Sequence, residues 1–309
     1  APATGEISLA TNEFANVEGQ DMQKIYLESA TSADEIVIAR PIGEKKSDNM
    51  IEVENKFWLT SDHGKTWKRI LEEEKILAIH PHTYFKEVMF FATDSERVLY
   101  TIDSGRTFHS FKAPFVDPAF KLSFHPDKKD WLIFRGKRCD DAAGTKDCYQ
   151  AASISTDRGD SWKTLQRYAE KCEFTGNSAF KFRPQNQIVC LVHKDENPDN
   201  PKTIVTIEDF SPEDKIVHNG TVAAFATMNE FILATDEVPE KGKETPGLQA
   251  IASMDGKNFE AAHFPYNFHD SHSSQYTVLD SSNHAVNLFV ATNLDAGQRR
   301  GSIIKSNSN

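Results

Sequence analysis

A chain of 309 residues with 39% hydrophobic and 26% charged residues has the make-up of a water-soluble globular protein, long enough to bury a substantial core as one large β domain or two ordinary ones. Its formal net charge of −11 argues against a nucleic-acid backbone or an anionic lipid surface as main partner. No run of about 18 apolar residues is present to cross a bilayer.

The first residues, Ala-Pro-Ala-Thr-Gly-Glu, lack the basic-then-apolar layout of a signal peptide, which fits a processed or trimmed start. In chain order, the first strand signals are Ile25-Tyr26-Leu27 and Ile36-Val37-Ile38-Ala39, followed by Thr60-Ser61-Asp62-His63-Gly64-Lys65-Thr66-Trp67. That stretch returns as Thr101-Ile102-Asp103-Ser104-Gly105-Arg106-Thr107-Phe108 and as Ser155-Thr156-Asp157-Arg158-Gly159-Asp160-Ser161-Trp162. The shared pattern is Ser/Thr-x-Asp-x-Gly-x-Ser/Thr-aromatic, an Asp-box. Asp bonds the backbone N–H groups that follow it and Gly supplies a positive φ, so the box predicts a hairpin turn with the aromatic opening the return strand. Decayed copies follow at Thr206-Ile207-Glu208-Asp209-Phe210 and at Ser253-Met254-Asp255-Gly256-Lys257-Asn258-Phe259, the latter one residue short. The spacings are 41 from Asp62 to Asp103, 54 to Asp157, and 46 from Asp209 to Asp255, the period of a propeller blade.

A strand, a polar turn and a second strand precede each box: Ile79-His80-Pro81 before Val88–Ala92, Phe124-His125-Pro126 before Trp131–Phe134, Phe182-Arg183-Pro184 before Ile188–Val192, Phe225-Ala226-Thr227 before Phe231–Ala234, and Val278-Leu279-Asp280 before Val286–Val290. Each unit therefore predicts four strands, with the box joining the third to the fourth; in the second unit these are 76–80, 87–92, 97–101 and 107–112. The expected fold is an all-β propeller of four-stranded blades at roughly 15–72, 73–114, 115–172, 173–218, 219–268 and 269–309. Only Lys163–Lys171 and Leu71–Lys75 carry a helical period. The sixth unit stops after its third strand, Ser302-Ile303-Ile304-Lys305. Either Ile7-Ser8-Leu9-Ala10 supplies the missing strand and closes a six-bladed ring, or the chain is part of a larger ring.

The boxes repeat one acidic residue without the paired carboxylates or ligand clusters that catalysis or metal binding requires, so their expected role is structural. A sialidase-like glycoside hydrolase is the natural enzyme on such a scaffold. It needs converging arginines, a Tyr/Glu pair and an acid; Arg40-Pro41-Ile42 echoes the arginine motif in the wrong order, and an ordinary Arg-Pro at a strand end is the simpler reading. Gly-x-Ser-x-Gly, phosphate-loop and His-Glu-x-x-His motifs are missing, so no catalytic residue, cofactor or metal is expected. Cys139 and Cys148 bracket a polar loop, and Cys172 and Cys190 flank a turn signal at 183–186. Two local disulfides in an oxidising compartment is the favoured reading, against four free core cysteines. Asn219-Gly220-Thr221 is the only N-glycosylation sequon. His263, His269 and His272, with Asp270, fall in an exposed polar loop and form a candidate pH-sensing set. Glu237–Gly247 has too little apolar content to pack and reads as a mobile loop.

The boxes, the Cys139–Cys148 loop after Phe134-Arg135-Gly136, the Cys172/Cys190 pair, Thr11-Asn12-Glu13-Phe14 and Gln275-Tyr276-Thr277-Val278-Leu279 together resemble the sortilin family over essentially the whole chain, and most closely its fungal sorting receptors for vacuolar carboxypeptidase Y. The resemblance implies a ten-bladed propeller of which this chain is about six blades, with the remainder of the propeller as a partner. It implies the luminal part of a type I membrane receptor in Golgi and endosome that captures soluble vacuolar hydrolase precursors or their peptides without catalysis. This portion is expected to touch neither nucleic acid nor membrane. Sortilins hold a peptide's C-terminal carboxylate with an arginine just ahead of the Ser of a box; the matching positions are Leu248 and Gln249, before Ser253, so that ligand mode does not carry over.

Overall fold

The computed structural model describes residues 22–28, 36–41, 44–47, 50–52, 56–62, 65–117, 119–140, 147–176, 184–228, 230–239, 246–262, 274–282, 285–294 and 298–305. The chain divides into two compact units, Ala1–Lys112 and Ala113–Asn309.

The first unit holds β1 (Met22–Glu28), β2 (Ile36–Pro41), β3 (Glu44–Ser47), β4 (Met50–Glu52), β5 (Phe57–Thr60), β6 (Lys68–Ile70), β7 (Ile76–Pro81), β8 (Met89–Thr93), β9 (Arg97–Thr101) and β10 (His109–Lys112). They form antiparallel sheets in the orders β1-β2-β5-β6 and β7-β8-β9-β10, with β3 and β4 as a small hairpin of their own. The second unit holds β11 (Lys121–Phe124), β12 (Leu132–Arg138), β13 (Tyr149–Ser155), β14 (Lys163–Arg167), β15 (Ala169–Phe174), β16 (Ile188–His193), β17 (Lys202–Ile207), β18 (Lys215–Val217), β19 (Val222–Thr227), β20 (Ile232–Val238), β21 (Gly247–Ser253), β22 (Glu260–Ala261), β23 (Ser274–Ser282), β24 (Ala285–Leu294) and β25 (Gln298–Lys305). Here three four-stranded sheets and one three-stranded sheet follow in sequence order. Apart from the β3–β4 hairpin, every sheet is a meander of the propeller-blade kind, as the repeat predicts, and the sixth has three described strands.

Burial explains which residues became which strand. The middle strands are covered on both faces: all of β8 is buried, as are Ile188–Val192 of β16. The fourth strands are short and wet; β10 buries only Phe111, and β18 buries nothing. In the first unit Ile38, Phe57, Met89, Phe91 and Leu99 pack between the two sheets, with the Phe57 and Phe91 rings edge-to-face at 6.2 Å. Each such side chain contributes about 1.5–3 kcal/mol by leaving water. In the second unit Leu165, Ala169, Cys172, Ile188, Cys190 and Ile207 belong to one apolar cluster.

The expected helical segment Lys163–Lys171 is instead the end of one sheet and the start of the next, β14 and β15. Leu165, Ala169 and Cys172 are all buried at i, i+4 and i+7, which imitates a helical stripe. A corner at Tyr168, held at φ 54°, turns the chain between them. For the same reason the fourth sheet begins at Ala169 rather than at 173. Leu71, the corresponding corner between β6 and β7, has φ 55° and opens no helix. A further feature carried no sequence signal: the first strand of five sheets is bulged, skipping Ile25, Leu77, Glu170, Ala223 and Leu279 in its ladder.

The turn between first and second strands is closed by a buried histidine in two blades. His125 Nδ1 accepts the Asp127 and Lys128 N–H groups at 3.0 Å each, while Nε2 donates to Gln185 O of the next blade at 2.8 Å. Sequence likeness pairs His80-Pro81 with His125-Pro126, but the structural counterpart is His82, whose Nδ1 accepts Tyr84 and Phe85 N–H at 3.2 Å. Each histidine donates its own N–H across the turn, His82 to Val88 O and His125 to Trp131 O. Burial pulls the His125 pKa below its ordinary 6.5, outweighing the pull upward from the Gln185 bond and Asp127; Lys128 adds to the lowering. A depressed folded value means the contribution to stability is complete above about 6.5 and disappears as pH falls through the folded value. The expected result is that the Asp127 and Lys128 amides, corrected for intrinsic chemistry, lose hydrogen-exchange protection on going from pH 7 to pH 5. Unchanged protection would show that His125 stays neutral throughout that range.

Candidate functional site

The geometry of the boxes is that of turns, as their expected structural role requires. Third and fourth strands meet there. In the second blade Thr101 Oγ1 donates to Asp103 Oδ1 at 2.9 Å and accepts Gly105 N–H at 2.7 Å. Asp103 then takes the Thr107 N–H on Oδ1 at 2.9 Å and the Thr107 hydroxyl on Oδ2 at 2.7 Å. The third blade repeats this with Ser155, Asp157, Gly159 and Ser161. In the first, Asp62 is bonded by Thr60 and by both donors of Thr66, at 2.9, 2.9 and 2.6 Å; Gly64 lies outside the described residues. The short box of the fifth blade keeps the design one residue tighter, with Asp255 accepting from Ser253, Lys257 and both nitrogens of Asn258. Gly105, Gly159 and Gly256 have φ of 86°, 97° and 72°, as the pattern requires. The aromatics Trp67, Phe108, Trp162 and Phe259 are half-buried. Phe108 meets Phe91 at 5.9 Å, and Trp162 meets Phe134 at 5.8 Å.

These bonds hold the carboxylates ionised. Asp62 falls to about 2, chiefly through the Thr66 hydroxyl and then its N–H. Burial pushes Asp255 up, but the Asn258 and Lys257 N–H groups outweigh it and bring it to about 2 as well. Asp103 and Asp157 are lowered too, burial being overcome by Thr107 and Ser161 respectively. A glycosidase acid needs the opposite shift. With folded values depressed, the boxes stabilise fully above about 4 and lose that only as pH falls toward 2, so they are indifferent to the step from pH 7 to pH 5.

The boxes also fasten neighbouring segments, which the sequence pattern did not reveal. Ser104 and Arg158, both left-handed, donate their N–H to Glu87 O and Asp130 O in the first turn of the same blade. Between blades four and five, Gln187 Nε2 donates to Asp255 O at 2.8 Å, Thr206 Oγ1 donates to Gly256 O, and Lys257 pairs with Glu208 at 2.9 Å. The decayed copy in blade four thus has Glu208, two residues after buried Thr206, in the acidic position, and spends it on the next blade. Asp209, the residue used to measure the period, is exposed, sits at φ 51° and accepts from Asn186.

Both expected disulfides are present. Cys139–Cys148 closes the hairpin of β12 and β13 one step beyond the Arg138–Tyr149 pair. Cys172–Cys190 joins directly opposed residues of β15 and β16 inside the core, so no cysteine is free. Asn219 is exposed in the turn between β18 and β19. Arg40 lies near the end of β2, opposite Gln23. Leu248 and Gln249 stand on β21 opposite Glu237 and Asp236, and the stretch expected to be a mobile loop contributes Glu237–Val238 to β20 and Gly247 to β21; 240–245 lie outside the described residues. So do His263, His269 and His272. Among the described residues no three His, Cys, Asp or Glu side chains gather as a metal site would require.

Residues 55–309 match the Sortilin-Vps10 family (Sortilin, neurotensin receptor 3). The chain belongs to the Sortilin-Vps10 family. Over its whole length it is 70% identical to the vacuolar protein sorting/targeting protein 10 of Fusarium vanettenii, and 53% identical to those of Verticillium alfalfae and Colletotrichum graminicola. It spans only 20–21% of the length of these Sortilin-Vps10 relatives. Among solved structures, the uncharacterized protein lmo1340 of Listeria monocytogenes aligns over 91% of this chain and 82% of its own at TM-score 0.48 and 10% identity, a likeness too loose to bear on function.

Proposed function

We propose that this chain is a ligand-binding luminal portion of a vacuolar sorting receptor, capturing soluble hydrolase precursors of the carboxypeptidase Y type in the late Golgi and letting them go in the endosome. The observation that carries the reading is 70% identity, across the whole chain, to a protein named for vacuolar sorting and targeting. Two disulfides suit a luminal environment. The bladed architecture offers a broad surface on which contacts are spread rather than a catalytic pocket, and the receptor works without turnover. The proposal includes a ring of ten blades, completed by the remainder of the receptor, as the resemblance to sortilins implies. Release is assigned to His263, His269 and His272, because histidine is the residue type whose charge changes in the range between Golgi and endosome, whereas the box carboxylates stay ionised there.

The glycoside-hydrolase alternative rests on the boxes alone, and their carboxylates are committed to turn donors. Binding of a hydrolase precursor to the complete luminal region, measured at pH 7 and pH 5 beside a panel of fluorogenic glycosides, separates the two readings. Saturable binding that weakens in acid, with no glycoside turned over, is expected. Equal affinity at both pH values removes the release step, and turnover abolished by one carboxylate substitution replaces the receptor reading with the enzyme.

A further inference from the structure

We propose that Asn219 carries an N-linked glycan whose place in the fold is to cover the bare apolar edge of the fourth blade. The edge strand β18, Lys215–Val217, is exposed throughout, with Ile216 and Val217 showing 37% and 49% of their surface. It pairs with β17 on one side, Val205 to Val217 through Ile207 to Lys215, and is the last strand of its sheet. An exposed apolar edge with free backbone N–H and C=O groups is a template for pairing with another chain, and folded proteins cover or charge such edges. Here the chain runs from Val217 to the sequon asparagine in two residues.

The turn that presents Asn219 is held on both sides. His218 N–H donates to Ile204 O at 2.9 Å, and Thr203 Oγ1 donates to His218 O at 2.6 Å. On the far side Thr221 O accepts Glu237 N–H at 2.6 Å, and Thr221 Oγ1 accepts from Lys194 Nζ at 3.1 Å. The middle residue lies close under two side chains: a Cβ on Gly220 would stand 2.3 Å from Asp236 Oδ1 and 2.5 Å from His218 Nε2, which would have to shift. Asn219 is the exposed residue of the tripeptide. The inference rests on the luminal reading proposed above, which the two disulfides fit and which puts the chain where such sequons are modified.

The donor is an oligosaccharide on a lipid pyrophosphate. The Asn219 Nδ2 nitrogen bonds the anomeric carbon of the first sugar and loses a proton, the anomeric C–O bond breaks, and the lipid pyrophosphate leaves.

The test uses the complete luminal region secreted from a glycosylating fungal host, and it reads nothing that depends on cargo. The peptide containing Asn219 is mapped by mass after enzymatic deglycosylation in heavy-oxygen water; incorporation of the heavy atom as Asn219 becomes Asp is expected. An unmodified Asn219, or one that takes up heavy oxygen equally in a parallel sample incubated without the deglycosylating enzyme, overturns the proposal. For the covering role, Asn219→Gln is expected to self-associate several-fold more than the parent by light scattering, and adding Ile216→Lys and Val217→Lys is expected to reverse that. Trimming the glycan on the folded wild-type protein gives the same reading without any change of sequence. Self-association unaltered by trimming overturns the covering role.

Discussion

Replacing Cys172 and Cys190 together by serine is expected to destabilise the second unit by about 5–9 kcal/mol if both hydroxyls are left unbonded. Two effects combine. Releasing a cross-link between residues 18 apart restores chain entropy to the unfolded state worth about 3 kcal/mol. Cys172 and Cys190 are also 1% and 0% exposed in the cluster with Leu165, Ala169 and Ile188, so two hydroxyls would enter an apolar site, at about 1–3 kcal/mol for each left unbonded. The Cys139–Cys148 bridge gives the contrast. Its separation of 9 makes the entropic part only slightly smaller, but both residues are partly exposed, where serine finds water. Urea unfolding of the parent and the two double variants checks this. Equal midpoints for the two variants would mean that the buried environment of Cys172–Cys190 contributes nothing beyond loop closure.

Gly256→Ala should follow, with a loss of about 2–4 kcal/mol from left-handed strain and overpacking together. Gly256 has φ 72°, and an added Cβ would come within 2.4 Å of Gln187 Oε1. The glutamine can retreat only by giving up the bond from its Nε2 to Asp255 O and the one from Thr175 Oγ1 to Oε1 at 2.8 Å. One methyl therefore unfastens the short box and the turn of the preceding blade at once. The companion substitution Gln187→Ala separates the terms: in that background the methyl should cost only the backbone strain. If Gly256→Ala costs the same with and without Gln187, the contact between blades carries none of the effect. Both variants are scored by denaturant midpoint.

The period of the boxes made the blades legible because each box is a self-contained set of donors and acceptors within seven residues of chain, and such a unit keeps its pattern wherever it stands. Hairpin positions and cysteine pairing followed from the same local logic. What connects one blade to the next was not legible. Gln187 reaches Asp255 across 68 positions, Thr206 reaches Gly256 across 50, and His125 reaches Gln185 across 60, with no periodicity linking the partners. The error over Lys163–Lys171 has the same origin: Leu165 and Ala169 face one core from two different sheets, so their spacing reports a corner and not a helix turn. His80 was taken for the counterpart of His125 because both precede proline, although the turn reads its histidine from the carbonyl it faces. The proposed cargo surface, with contacts spread over blades, needs no motif, and nothing in the residue order marks one.

The tie from Thr206 to Gly256 has a consequence for how the chain comes to be folded. A box hairpin closes between residues a few positions apart, which takes microseconds. The tie to the next blade has to wait until 50 further residues have been made, about 2–10 s at the usual pace of synthesis. Blade four thus spends seconds with its own turn formed and its flank bare, so the emerging chain is adhesive there in that interval, and a chaperone serving it would be engaged then and released as blade five is made.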